Sequence, residues 1–190
     1  VMDEVQSGFA RTGKFFAHEH AGVKADIMIM AKGMASGFPI SSVAASREMM
    51  DKWVVGAHGG TYGGNPLGCA AAEATIRVIQ EERLAKNAAA RGKQLLAGLQ
   101  NLQARYPILG DVRGLGLMVG CELNDPKTGK PAKDETGKII SHVFREEKLL
   151  LLSCGPDGNI IRWIPPLVVT EAQIAQGLAK FERALQAVVG

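Results

Sequence analysis

The chain has 190 residues, of which 46% are hydrophobic and 22% are charged, a composition typical of a soluble globular protein with a buried core. The net charge of +3 is small and no basic run is interleaved with aromatic residues, so we predict no nucleic-acid partner. Cys69, Cys121 and Cys154 form no CxxC pair, which indicates reduced thiols in a cytoplasmic protein. There is no signal peptide and no apolar run of about 18 residues, so no membrane span is predicted.

The first residues, Val1 to Gly8, are predicted to be the end of a strand that runs into a loop. A chain that begins inside a strand is expected to be a fragment of a longer protein. Asp3 and Glu4 are adjacent, so they would point to opposite faces of the strand and need not form an acid/base pair. His18 and His20 flank a glutamate, but no third ligand stands at a suitable spacing, and we predict no metal site.

Four large apolar residues, Ile27 to Met30, predict a short strand buried on both faces, as inside a parallel sheet. Lys32 follows directly, and open α/β sheets hold their ligands at the carboxyl ends of their strands. Partial desolvation there would make the neutral, nucleophilic amine accessible near neutral pH. On the local pattern alone, a surface lysine in a strand-to-loop turn is the alternative. A second strand is predicted at Ser42 to Ser46, followed by a helix at Arg47 to Trp53.

The segment Gly56 to Pro66 is the most glycine-dense part of the chain. Such a loop lets backbone amides approach a ligand closely, and a phosphate is the usual ligand when a threonine sits among the glycines. It lacks the Gly-Lys-Ser/Thr ending of a P-loop, and no strand leads into it as a dinucleotide fingerprint requires. Asn65 and Pro66 predict a helix start, with the helix ending near Glu82 and a second helix from Leu84 to about Arg105.

From Pro107 onward the pattern is that of a separate α+β domain. The predicted elements, in chain order, are a strand-like segment at Ile108 to Leu123, a polar loop or hairpin at Asn124 to Gly137, a short helix at Ser141 to Lys148, strands at Leu149 to Leu152 and Asn159 to Ile164, and a helix from Glu171 to about Val188. Thr170 is the predicted N-cap of the last helix.

Five segments together resemble the class III pyridoxal-phosphate aminotransferases, and the resemblance covers the whole chain. The segments are Asp-Glu-Val-Gln-Ser-Gly-Phe-Ala-Arg-Thr-Gly-Lys at 3–14, Ala-Lys-Gly at 31–33, Gly-Thr-Tyr-Gly-Gly-Asn-Pro at 60–66, Val-Arg-Gly-Leu-Gly at 112–116 and Ile-Arg-Trp-Ile-Pro-Pro at 161–166. The resemblance implies an α/β protein of fold type I. Residues 1–83 would be the C-terminal part of the large, mostly parallel-sheet domain that binds the cofactor. Residues 84–190 would be the small α+β C-terminal domain.

The resemblance also implies a role for particular residues. Lys32 would form a Schiff base with pyridoxal 5'-phosphate and then move the substrate Cα proton. Asp3, expected to be buried, would pair with the pyridine nitrogen so that the ring can act as an electron sink, and Gln6 would lie by the phenolic oxygen. Thr61 would donate to the phosphate held by the partner subunit. Arg162 would face the substrate carboxylate or a glutamate that masks it.

The resemblance implies a homodimer with active sites at its interface. About half of such an enzyme is absent from this sequence, including a phosphate-binding loop, the aromatic that stacks on the ring and the glutamate expected to mask Arg162, so the fragment is expected to be inactive alone. Arg113 is interpreted as a scaffold arginine and Tyr62 as a packing residue.

The function implied is transfer of an amino group from 4-aminobutyrate or a related ω-amino acid to 2-oxoglutarate. The segment Leu151 to Arg162 looks most like that of 4-aminobutyrate aminotransferases. The alternatives are an amino-acid racemase or epimerase of the same family and a non-catalytic module that keeps the fold. Racemisation requires a second acid/base group, which the absent half of the enzyme could supply. Of the ionisable groups near the motifs, Asp3 is committed to the ring, Arg162 stays protonated and His58 has nothing evident to orient it. We therefore predict transamination.

Overall fold

The computed structural model describes residues 1–190 and divides them into two compact units, residues 1–86 and 87–190. The sequence predicts a boundary at residue 84, close to this division. That the two units correspond to the C-terminal part of a large domain and to a whole small domain stays a prediction.

The first unit contains a three-stranded sheet in the order β1-β2-β3. Its elements are β1 (Met2–Asp3), a 3-10 turn (Ala17–His20), β2 (Ile27–Met30), a second 3-10 turn (Lys32–Ala35), β3 (Ser42–Ala45), α1 (Arg47–Met50) and α2 (Pro66–Glu81). β1 and β2 pair in parallel, with Asp3 opposite Ile29, whereas β2 and β3 pair antiparallel. The parallel pair brings the carboxyl ends of two strands to the same edge of the sheet.

Helix α2 begins where the sequence predicts. The Asn65 side chain accepts a hydrogen bond from the Gly68 amide at 2.8 Å, and Pro66 occupies the first helical position. This satisfies one of the amides that have no partner inside the helix, and the proline has no amide to satisfy. The predicted helix start is confirmed.

The second unit is built on a four-stranded antiparallel sheet in the order β4-β5-β7-β6. Its elements, with the helix that leads into it, are α3 (Leu84–Arg105), β4 (Leu109–Leu115), β5 (Met118–Leu123), α4 (Lys133–Arg145), β6 (Leu152–Cys154), β7 (Ile160–Trp163) and α5 (Glu171–Val189). The single strand-like segment predicted at Ile108 to Leu123 is wrong. It is a hairpin that turns at Gly116, whose φ of +53° favours glycine.

The helix predicted at Ser141 to Lys148 is also wrong in its bounds, because α4 begins at Lys133, inside the segment expected to be a loop. Gly137 does not end the helix. The acidic residues Asp134 and Glu135 near the N-terminus stabilise its first turn. The buried Thr136 hydroxyl is satisfied by donating to the Ala132 carbonyl oxygen at 2.8 Å.

The core of the second unit lies between the sheet and helices α3, α4 and α5. Alternate residues of β5 and β7 are buried, and on β7 Trp163 meets Phe181 of α5 edge to face, with ring centroids 5.4 Å apart. α5 begins with a capping box between Thr170 and Gln173, as the sequence predicts for Thr170. No helix combines the length and the hydrophobicity that a membrane-spanning helix needs.

Two helical glycines differ in the space around them and give a matched test of this packing. A Cβ added to Gly92 in α3 would lie 2.2 Å from the Gly116 carbonyl oxygen, which belongs to backbone and cannot rotate away. Gly137 in α4 has nothing within 4 Å. We expect Gly92→Ala to destabilise the fold by about 1–3 kcal/mol. Gly137→Ala should stabilise it by about 0.5–1 kcal/mol.

The measurement is the urea midpoint of each variant, followed by circular dichroism. Equal midpoints for the two variants would contradict the packing of α3 on the β4–β5 turn.

Candidate active site

The carboxyl ends of β1 and β2 bring three of the expected site residues to one edge of the sheet. Asp3 is the last residue of β1, and Lys32 comes two residues after the end of β2. The Lys32 Nζ atom donates to Gln6 Oε1 at 3.2 Å, across 26 residues of sequence. Asp3, Gln6 and Lys32 therefore lie at the edge where open α/β sheets hold their ligands.

Lys32 has an unusual backbone. Its φ is +44°, in the left-handed region, although it carries a full side chain. This conformation costs about 1 kcal/mol or more. The turn is closed by a hydrogen bond from the Met34 amide to the Ala31 carbonyl oxygen at 3.0 Å, and Phe9 packs against Gly33. Strain of this kind is concentrated at functional sites, where the surrounding structure maintains it.

The exposure of the site differs from the sequence-based expectation. All four residues of β2 are half-buried, so the prediction of a strand buried on both faces is wrong for this chain. Asp3 and Lys32 are exposed, not buried or partly desolvated as expected. The sheet of this unit has only three strands, so few elements of the chain are available to cover β2.

The Asp3 carboxylate is held by a short loop. Its Oδ1 atom accepts from the Val5 amide at 3.0 Å, and the Asp3 carbonyl oxygen accepts from the Ser7 hydroxyl at 3.4 Å. The second carboxylate oxygen makes no hydrogen bond within the chain. One oxygen thus fixes the orientation of the group and the other is open to a cationic or N–H partner.

The neighbouring residue, Glu4, is a buried carboxylate with a role that the sequence did not reveal. Glu4 is 2% exposed, whereas its neighbour Asp3 is exposed. Such a difference is expected for adjacent residues, which point to opposite faces of a strand. Glu4 accepts from the Ser7 hydroxyl at 2.5 Å, from the Ala17 amide at 3.1 Å and from the His18 amide at 2.8 Å. The His18 ring nitrogen Nδ1 lies 3.1 Å from the same carboxylate.

Burial alone would raise the pKa of Glu4, but the hydrogen bonds from Ser7, His18 and Ala17 favour the ionised form. The net effect lowers the pKa of Glu4 below its ordinary value. The sequence signal was weak, because the partners lie 13 and 14 residues further along an irregular loop.

Thr61 is not part of the hydrogen-bonded group formed at the edge of the sheet by the other expected site residues. Residues 56–64 are exposed, and Thr61 makes no hydrogen bond to Asp3, Gln6 or Lys32. Tyr62 is 82% exposed, so its interpretation as a packing residue is wrong for this chain. Only its carbonyl oxygen is engaged, and it accepts from the Asn65 side chain at 3.1 Å and from the Asn65 amide at 3.3 Å.

Arg162 belongs to the second unit. It lies on β7, opposite Gly120 of β5 and Leu152 of β6, and lines a largely apolar groove of about 650 Å³. Its Nε atom is buried without a hydrogen-bond partner. A buried guanidinium donor without a partner favours an acceptor such as a carboxylate.

Arg113, by contrast, forms ion pairs with Asp111 and with Glu122, the latter at 2.9 Å, on the exposed side of β4. These contacts support its interpretation as a scaffold residue. No group of three or more histidine, cysteine or acidic side chains is arranged to hold a metal ion.

Comparison with known proteins identifies the family. The sequence profile of the class-III aminotransferases matches residues 1–185, and the chain belongs to this family. Its members depend on pyridoxal phosphate and have the fold of type I pyridoxal-phosphate enzymes.

Three curated relatives are similar over most of the chain. A 5-aminovalerate aminotransferase from Pseudomonas aeruginosa is 47% identical over 94% of this chain, and a 4-aminobutyrate aminotransferase from Escherichia coli is 44% identical over 94%. An alanine/serine racemase from Pyrococcus horikoshii is 45% identical over 98%. The chain spans 42%, 42% and 39% of these relatives, respectively.

Among solved structures, a Bacillus anthracis aminotransferase superposes with a TM-score of 0.90 at 34% identity. The match covers 98% of this chain and 44% of that one.

The buried Glu4 gives a pH-dependent stability that can be measured. Because its pKa is lower in the folded chain than in the unfolded chain, its contribution is present above the ordinary value of 4.5 and is lost as pH falls through the folded value. We expect the stability difference between the wild type and Glu4→Gln to be largest at pH 6 to 7 and to shrink below about pH 4.5.

Urea midpoints of both proteins between about pH 7 and pH 3 check this, with the exposed Glu48→Gln as control. A difference that stayed constant over this range would show that the Glu4 charge does not stabilise the fold.

Proposed function

We propose that this chain supplies the lysine and the ring-nitrogen carboxylate of a pyridoxal-phosphate aminotransferase. The amino group would pass from 4-aminobutyrate, or a related ω-amino acid such as 5-aminovalerate, to 2-oxoglutarate. The observation that carries the proposal is the Lys32 amine, hydrogen-bonded to Gln6 on a strained turn at the edge of the sheet where Asp3 ends β1.

The residues present fit the cofactor in the chemistry of their donors. A primary amine suits its aldehyde, a carboxylate with one open oxygen suits a protonated ring nitrogen, and an amide suits its phenolic oxygen. Lys32, Asp3 and Gln6 would hold these three groups. Thr61, exposed in its glycine-rich loop, would donate to a phosphate, in line with the resemblance that suggests it serves the partner subunit. Pyridoxal phosphate, when bound, supplies an electron-withdrawing ring that stabilises negative charge at the substrate carbon that bears the amino group.

The other steps belong to side chains of this chain. Lys32 would accept the proton lost from the substrate carbon that bears the amino group, and would then give it up at a different carbon, so that the amino group can leave the donor. Gln6 would orient the Lys32 amine, since its amide oxygen already accepts from Nζ. Asp3 would keep a proton on the ring nitrogen by offering a negative partner. Arg162 would bind a substrate carboxylate, which its unpartnered Nε atom favours.

The choice of amino donor rests on the relatives, two of which act on ω-amino acids by their names. In such a donor the amine and the carboxylate stand at opposite ends of the molecule. Such a donor therefore needs a base at its amine and a partner for its carboxylate, and the resemblance implies Lys32 for the first role and Arg162 for the second. The homodimer and the cytoplasmic location predicted from the sequence are part of this proposal.

A second candidate is an amino-acid racemase, favoured by the 45% identity to an alanine/serine racemase. A racemase returns the proton to Cα from the opposite face, which takes a second acid/base group. At the Lys32 edge the hydrogen-bond partner of the amine is Gln6, which does not titrate. Asp3 is assigned to the ring nitrogen. Transamination therefore needs fewer groups from outside this chain.

The test is Lys32→Ala in the full-length protein that carries this chain, with Lys24→Ala as the matched control. Both lysines are exposed, but Lys24 makes no hydrogen bond and lies outside the site. We expect Lys32→Ala to lose at least about 1,000-fold in kcat, because both the amine and its proton transfer are removed. Lys24→Ala should be unchanged.

The assay supplies 4-aminobutyrate or 5-aminovalerate with 2-oxoglutarate and follows glutamate. Near-normal turnover of Lys32→Ala would contradict its role. A single L-amino acid given alone, and converted rapidly to its D-isomer, would replace transamination by racemisation.

A further inference from the structure

The buried Glu4 carboxylate binds three residues of one irregular loop. Its Oε2 atom accepts from Ser7 and Ala17, and its Oε1 atom accepts from the His18 amide and meets the His18 ring. Four contacts thus use both oxygens of a side chain that water hardly reaches. A charged group buried in this way is held in one orientation, because each lost contact would leave it poorly solvated.

The backbone of Glu4 is fixed as firmly as its side chain. Its amide donates to the Ile29 carbonyl oxygen of β2 at 2.9 Å, and its carbonyl oxygen accepts from the Gly8 amide at 3.1 Å. A Cβ on Gly8 would lie 2.8 Å from that oxygen, so the loop passes as closely as a glycine permits. Glu4 therefore joins the start of the loop to the strand that leads to Lys32.

Gln6 lies between the two anchored points. Glu4 precedes it by two residues, and Ser7, the next residue, donates both to the Glu4 carboxylate and to the Asp3 carbonyl oxygen. Gln6 itself is half-buried and makes one side-chain hydrogen bond, to Lys32. Its position is thus set by its neighbours.

We propose that Glu4 is a positioning residue that holds the Gln6 amide oxygen at the Lys32 amine. Through Ser7, Ala17 and His18 it fixes the loop, and through Ile29 it fixes the loop to β2. The proposal rests on the proposed function only for the use made of Lys32. The geometry itself involves this chain alone.

A purely structural Glu4 would stabilise the loop without affecting the amine, and a purely electrostatic Glu4 would act on the amine by its charge. A double-mutant cycle separates these cases. The variants are Glu4→Gln, Gln6→Ala and the double variant, with the exposed Glu48→Gln as control. Glutamine keeps the size of Glu4 but turns an amide NH2 toward donors that need an acceptor.

The readout is the rate of reductive methylation of Lys32 in the cofactor-free full-length protein, measured by peptide mass spectrometry and divided by the rate of Lys24. The Gln6 oxygen restrains the Lys32 amine and occupies one of its N–H groups, so losing this contact should free the amine for the reagent and speed the reaction. We expect Gln6→Ala and Glu4→Gln each to raise the rate about threefold to tenfold. The double variant should react no faster than either single variant.

In the holoenzyme, Glu4→Gln should lower kcat with little change in KM for the amino donor. Glu48→Gln should match the wild type in both assays.

If the increase in the Lys32 methylation rate in the double variant equals the product of the two single increases, the proposal is overturned, because Glu4 would then act independently of Gln6. An unchanged Lys32 rate in a folded Glu4→Gln protein would overturn it as well. If Glu4→Gln does not fold, Ser7→Ala takes its place in the cycle, since it removes the contact next to Gln6. The methylation assay needs no cofactor or substrate, so its outcome is independent of whether the protein proves to be an aminotransferase.

Discussion

The parallel pairing of β1 with β2 is the constraint on which the candidate site depends. It sets Asp3 opposite Ile29, so that the loop leaving β1 and the turn leaving β2 start side by side. The Glu4 amide continues this pairing by one hydrogen bond, to the Ile29 carbonyl oxygen. A shift of register by one residue would reverse the faces of Asp3 and Glu4 and expose the buried carboxylate. The register thus decides which acid faces the site and which holds the loop.

Two unfavourable features sit next to one another at this edge. Lys32 has a left-handed backbone, and Glu4 is a charge removed from water. Each persists because local bonds maintain it: the turn closed by Met34 in one case, and the contacts with Ser7 and His18 in the other. The left-handed backbone of Lys32 is costly for stability, whereas the hydrogen bonds of Glu4 more than offset the cost of its burial, as its lowered pKa indicates. In the proposed function, both features would hold the Lys32 amine in one place beside Gln6.

The sequence predicted elements whose signals are local and missed features that depend on distant contacts. The α2 and α5 starts were predictable because Asn65 and Thr170 cap helices through residues three positions away. The β4–β5 turn and the start of α4 were not predictable in this way. Gly116 forms the turn of a hairpin whereas Gly137 lies inside a helix, and the local sequence does not distinguish the two glycines. At the site, the motifs located Lys32. The exposure of Lys32 and the hydrogen bonds of Glu4 could not be predicted, because both depend on residues that are distant in the sequence.

The most direct measurement of the central claim identifies the lysine that carries the cofactor. The full-length protein is saturated with pyridoxal phosphate, treated with sodium borohydride to make the carbon–nitrogen bond permanent, digested, and mapped by mass spectrometry. We expect one phosphopyridoxyl group on the peptide that contains Lys32, and none on that peptide in Lys32→Ala. A label on another lysine, or no label on a folded protein, would contradict it.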